Sequence, residues 1–202
     1  GDLKNTDLLI LPEGNYKFLK DKEAAAEIKI WVQQGGKIIA LDNAVTQIAE
    51  ADWGIKSKKD DEDKKKDEKK DDKENYASIK RYENRERDGI VNNIPGAIYK
   101  VEMDNSHPLA FGYGNNYFSL KLSDDLYEFM KGGWNVGVIK KDNQVAGYVG
   151  SRLKNKIQDG VLFGVQDMGN GAIAFMADDV LFRSFWENGK LMLCNAVFFV
   201  GQ

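Results

Sequence analysis

Lys37-Ile38-Ile39-Ala40-Leu41-Asp42-Asn43-Ala44 is the stretch on which the fold turns. An apolar run this short, closed by Asp and Asn, reads as a strand buried on both faces. Asp42 and Asn43 are good caps for a helix that follows at once, from Ala44 to Ala51. Working outward, Asp7-Leu8-Leu9-Ile10-Leu11 is a second run of the same kind, stopped by Pro12-Glu13-Gly14. Between the two runs, Asp21 is placed to cap a helix whose Ala24, Ile28, Trp31 and Val32 share one stripe, with Gly35-Gly36 as its stop. Strand, helix, strand and helix joined by short links imply a right-handed crossover and a parallel sheet.

Further along, Ile98 to Met103 alternates as a half-buried strand does, and Asp104 to Pro108 is a turn. Leu126, Phe129 and Met130 predict a short helix stopped by Gly132-Gly133. Trp134 to Ile139 predicts a strand that reverses at Lys141-Asp142-Asn143 into Val145 to Val149, and Leu153 with Ile157 suits a helical turn. Val161 to Val165 and Ala172 to Met176 flank Met168-Gly169-Asn170-Gly171, which has hairpin-turn chemistry. Phe185 to Phe199 reads as an apolar helix.

The 202 residues fit one domain, 1–202, with a core of its own. Residues 56–74 interrupt it: apart from Ser57, all are charged, nine lysines against nine carboxylates. A stretch without apolar residues has no burial to offset an ordering cost of roughly 1–2 kcal/mol per residue, so it is expected to be a solvated, mobile insertion. Over the whole chain 29 basic residues face 32 acidic ones, a net charge of -3. That balance argues against nucleic acid as a partner, and no apolar run approaches the roughly 18–20 residues of a membrane span. Gly1-Asp2-Leu3-Lys4 has no signal-peptide pattern, and a leading glycine without methionine is expected to be the scar of a cleaved tag or the start of a fragment of something longer.

One histidine, His107, leaves no two-histidine zinc site, and one cysteine, Cys194, leaves no thiolate cluster or internal disulfide. The turn after Leu41 is where an α/β enzyme carries its nucleophile, but Asp42 and Asn43 stand there without Ser, Cys or a flanking glycine. The helix-capping reading is favoured, with a hydrolytic Asp42 assisted by His107 as the alternative. His107, before Pro108, is expected to pack or hydrogen-bond its own loop. Cys194, within an apolar helical stretch, is expected to be buried and inert. Asp178-Asp179 suits acid–base work or a divalent cation, or caps a helix. Arg81 to Arg87 is a solvated helix or a carboxylate-binding patch. The aromatics Phe175, Phe182, Phe185, Trp186, Phe198 and Phe199 are expected to pack around the last helix or to cover a neighbouring domain.

Asp7 to Tyr16, with its Leu11-Pro12-Glu13-Gly14 turn, and Trp31 to Ala40 together resemble the class I glutamine amidotransferase-like domain. Arg85-Glu86-Arg87, Ile94 to Ala97, Asp104 to Tyr113 and Phe182 to Trp186 resemble one version of it in particular. This is the module C-terminal to the catalytic domain in secreted bacterial zinc carboxypeptidases of Bacteroidetes type. The resemblance implies a flavodoxin-like parallel sheet with an antiparallel hairpin near the C-terminus, and a secreted or periplasmic protein. The amidotransferase triad does not carry over. Its cysteine falls at about Asn43, and its late histidine and acid fall near Asp178-Asp179-Val180, where no histidine stands. The peptidase zinc ligands have no counterpart, so zinc is expected only in an upstream peptidase domain, which is also the expected partner. What remains is a cleft at the carboxyl ends of the strands, with Glu13, Asn15, Asp42 and Asn43 as candidate ligand-binding residues for a peptide or glycan.

Overall fold

A computed structural model describes residues 3–58 and 81–201. Most of the charged insertion, residues 59–74, therefore lies outside the described residues. β1 (Leu8–Leu11), the short α1 (Lys17–Lys20), α2 (Lys22–Gln33), β2 (Lys37–Leu41) and α3 (Asn43–Glu50) form the alternating N-terminal half. α2 begins where the sequence places it, because Asp21 Oδ1 accepts from the backbone amides of Glu23 and Ala24. After the insertion come α4 (Arg85–Val91), β3 (Gly96–Met103), β4 (Asn116–Lys121), β5 (Trp134–Ile139) and β6 (Gln144–Tyr148). β7 (Gly160–Met168), β8 (Gly171–Met176) and α5 (Glu187–Phe198) complete the chain.

The strands form one sheet in the order β1-β2-β8-β7-β5-β3-β4, with β6 also paired to β3. Only β1 with β2 and β2 with β8 run parallel; every other pairing is antiparallel. The expected flavodoxin-like parallel sheet is therefore wrong. The chain builds a parallel trio and then an antiparallel half that curls into a half-barrel. β2 and β8 are buried at every residue, whereas β3 and β4 bury alternate residues only.

Side chains show how far the curl goes. β4 stands four strands from β8 in the sheet order, yet its Lys121 Nζ lies 2.7 Å from Oδ1 of Asp178, two residues beyond β8. The Ser119 hydroxyl donates to the other oxygen of the same carboxylate. Lys121 Nζ also donates to the Asp125 carbonyl at 2.6 Å. Within the curl, the Tyr117 ring meets Phe163 of β7 edge-on, with centroids 5.2 Å apart.

Three local expectations are corrected. β5 does not reverse into β6: both run antiparallel to β3 along the edge that β4 leaves free, so they are one strand line broken by residues 140–143. Asn143 fills the break, accepting from the Lys100 amide through its carbonyl (2.8 Å) and donating Nδ2 to the Lys100 carbonyl (3.0 Å). The segment 126–130 is extended, not helical, because Tyr127 makes a two-way backbone bridge to Val161 of β7. Cys194 is exposed, since α5 turns Gly189, Met192, Asn195 and Ala196 inward instead. Of the aromatic set, Phe175 is core, but Phe185, Phe198 and Phe199 stay exposed.

Removing one member of a buried ion pair strands the other charge, at about 3–5 kcal/mol. Lys121→Met is therefore expected to lower the unfolding free energy by about that much in urea melts, and adding Asp178→Asn is expected to recover part of it. Cys194 in the native chain is expected to react with a thiol reagent without denaturant; protection equal to that of a core thiol contradicts its placement.

Candidate functional site

The carboxyl ends of the three parallel strands meet at one edge, the usual ligand position in open α/β sheets. Each strand delivers an acid there: Glu13 after β1, Asp42 directly after β2 and Asp178 after β8. Asp42 extends the β2–β8 ladder by donating its amide to the Met176 carbonyl at 2.8 Å, then turns abruptly, at φ 49° and ψ −128°. A non-glycine residue with that backbone is strained, and a sharp strand-to-helix turn of this kind is how α/β hydrolases present a nucleophile. The sequence predicts capping by Asp42 or Asn43, but no side chain caps α3.

The Asn43 side chain holds the loop after β1 instead. Its Oδ1 accepts from the Gly14 amide at 2.9 Å. One turn later Gln47 accepts from the Tyr16 amide (2.8 Å) and donates to the Gly14 carbonyl (2.8 Å). An acyl-transfer site needs unpaired amides aimed at a developing oxyanion. Here the amides of Gly14 and Tyr16, beside the turn, are occupied by α3 side chains.

Electrostatics disfavour the charged form of Asp42. Burial raises its pKa, the negative charge of Glu13 raises it further, and Asp178 and Asp125 add to this against the Asn43 amide. Burial also raises Asp178, opposed by Lys121 and Ser119. The Tyr127 hydroxyl shares a 2.9 Å hydrogen bond with Thr46 Oγ1, and burial pushes its phenol strongly upward. The arrangement offers carboxyls, a phenol and a committed ammonium. Among the described residues it presents no thiol or free hydroxyl at the turn.

Of the four residues read as a remnant cleft, Asp42 and Asn43 are part-buried, Asn43 being used structurally, while Glu13 and Asn15 are exposed beside them. The proposed Asp42/His107 pair is not brought together. His107 lies in tilted contact with Trp134, whose Nε1 donates to Asp167. Asp167 pairs with Ala172 at the start of β8, and Asp42 stands past its end. The strand between them is roughly 17–20 Å long at about 3.3 Å per residue. His107 Nδ1 accepts from the Leu109 amide at 3.1 Å, and burial lowers its pKa, so it is a neutral loop cap. Asp179 likewise serves its own loop, accepting from the Leu181 amide. Arg81 and Arg85 pair with Glu83 and Glu86 at the surface.

Sequence reasoning missed Ser119, Lys121 and Tyr127. In β4 the apolar Phe118 and Leu120 face outward while Ser119 and Lys121 face inward with Tyr117, so the usual amphipathic signal is inverted. Among the described residues, no three His, Cys, Asp or Glu side chains are grouped to hold a metal, and no helix is long and apolar enough to cross a membrane.

No family model and no curated protein matches the chain. Among solved structures it is similar to the "Cytoplasmic Protein STM3548 from Salmonella typhimurium". The TM-score is 0.51 and the identity 15%, over 98% of this chain and 73% of that one. At that identity the likeness is one of fold.

A raised acid binds its proton more readily in the folded state, so its stabilising contribution is present below the ordinary carboxylate range and lost as pH rises through the folded value. Asp42→Asn is therefore expected to gain on wild type in thermal melts as pH rises from about 4 towards 7. Asp42→Gly, which also relieves the backbone, is expected to gain about 1 kcal/mol.

Proposed function

We propose that this chain is a non-catalytic amidotransferase-like accessory module, secreted or periplasmic, that packs on the zinc carboxypeptidase domain of its parent protein. The observation that carries the non-catalytic part is the turn at Asp42. Its backbone makes a sharp, strained strand-to-helix turn like that of a nucleophile elbow, but the side chain is a carboxyl, whose pKa burial and neighbouring acids raise. The lone imidazole lies at the other end of the sheet, too far away to assist it. The Gly14 and Tyr16 amides are already bonded to Asn43 and Gln47. Asp178, near the position of the late catalytic acid, is bonded to Lys121 and Ser119, so it has no role as the orienting partner of a base.

The accessory part rests on the resemblance of Asp104 to Tyr113 and Phe182 to Trp186 to such modules, and an exposed apolar surface supports it. Phe111, Phe185, Phe198 and Phe199 are 48–66% exposed, with Phe111 and Phe199 in an edge-on pair at 5.4 Å. An adjacent exposed pair such as Phe111 and Phe199 marks an interaction surface more often than single scattered aromatics do.

The purified chain is expected to show only background turnover of glutamine and of peptide C-termini, with or without added zinc. Turnover that disappears in Asp42→Asn overturns the reading, because that variant preserves the shape of the turn and removes only its acid.

A further inference from the structure

The break between β5 and β6 leaves a cleft as well as an irregular edge. β3 pairs with Val138 of β5 at Glu102 and with Gln144 of β6 at Tyr99, and residues 140–143 bulge out between. One wall is therefore the loop that Asn143 clamps to Lys100. The facing wall is the turn segment from Gly150 to Asp159. Backbone bonds from Leu153 and Lys154 to the Gly150 carbonyl and from Lys156 to Leu153 fix it, and Ile157, 1% exposed, anchors it to the core. Lys58 Nζ adds a bond to the Gln158 carbonyl. Between the walls lies a polar cavity of about 260 Å³.

Tyr99 lines the cavity from inside the curl. The residue is only 3% exposed, and its hydroxyl, without a hydrogen-bond partner among the described residues, is the part that opens onto the cavity. Burial also raises its pKa, so the group is a proton donor at neutral pH. Around it stand four amides. Gln144 uses only Nε2, on the Gly147 carbonyl, and Asn143 only Nδ2, so each keeps a free carbonyl oxygen. Asn155 and Gln158 keep both side-chain groups free.

Amides that both donate and accept match hydroxyl groups, which do the same. The two charges on the rim, Asp142 and Lys154, are opposite in sign and belong to no ion pair among the described residues, so the site favours a ligand without net charge. The volume is below the roughly 300–1,000 Å³ of sites that enclose drug-sized ligands, which leaves room for about one ring.

We propose that this cleft, between the 140–143 bulge and the Gly150–Asp159 turn, binds one ring of a neutral sugar, with the Tyr99 hydroxyl as the innermost donor. The site is separate from the Glu13–Asp42 edge and stands whether or not the module is silent.

The test is a titration of the ¹⁵N-labelled chain, followed by NMR, with glucose, galactose, mannose and N-acetylglucosamine, and with glycine as a zwitterionic comparison. At least one sugar is expected to give saturable shifts centred on the Asn155 and Gln158 side-chain amides and on the backbone of 142–144, with none from glycine. Tyr99→Phe removes one neutral hydrogen bond and is expected to weaken binding about 3- to 10-fold with an otherwise unchanged spectrum. Asn155→Ala, at an exposed position, is expected to weaken it comparably and decides the matter if Tyr99→Phe does not fold. Flat titrations with all four sugars, shifts that neither variant weakens, or saturation by glycine in their place each overturn the assignment.

Discussion

Everything in the second half of the molecule depends on one buried carboxylate. Asp178 follows the last parallel strand, and its two oxygens accept from Lys121 and Ser119 of the most distant strand of the sheet. A charge placed there without those partners is too costly to keep, whereas the pair adds little beyond what an apolar contact gives. Its effect is therefore selective. Of the ways in which an antiparallel extension can lie against a parallel core, the curled one satisfies Asp178, and an open sheet leaves both it and Lys121 unpaired in the interior.

The curl sets the character of the strand edge. It brings Asp125 and Tyr127 in from the segment after β4 to stand with Asp42 and Asp178, and burial, with the charges of Glu13, Asp178 and Asp125 added to it, raises the Asp42 carboxyl. The turn at Asp42 has a strained backbone, and burial with neighbouring acids raises the carboxyl there. The strain fits a backbone fixed by packing: Asp42 continues the β2–β8 ladder on one side, and Asn43 and Gln47 latch the neighbouring loop on the other.

Local rules read the N-terminal half well. The Asp21 cap there, like the Gly169-Asn170 hairpin later in the chain, stands where short-range chemistry puts it, because each is decided by contacts within a few residues, and β2 stands where its apolar run places it. Expectations failed where a distant partner decides. Leu126 and Met130 have helical spacing, but Tyr127 finds Val161. Lys141-Asp142-Asn143 has turn chemistry, but the free edge of β3 captures both flanking strands in one direction. Cys194 lies in an apolar stretch, but the face of α5 that docks is set by Met192, Asn195 and Ala196.

Taken alone, the sequence determined the alternating strand–helix start, the hairpin at Gly169, and the shortage of imidazole and thiol, since these follow from residue types and spacings along the chain. Tertiary structure decided the mixed, curled sheet, the inside-out β4 and the company that Asp42 keeps. The physical reason is that a buried Lys or Ser can be read as interior only once its partner is known, and Asp178 stands 57 residues from Lys121 in the chain.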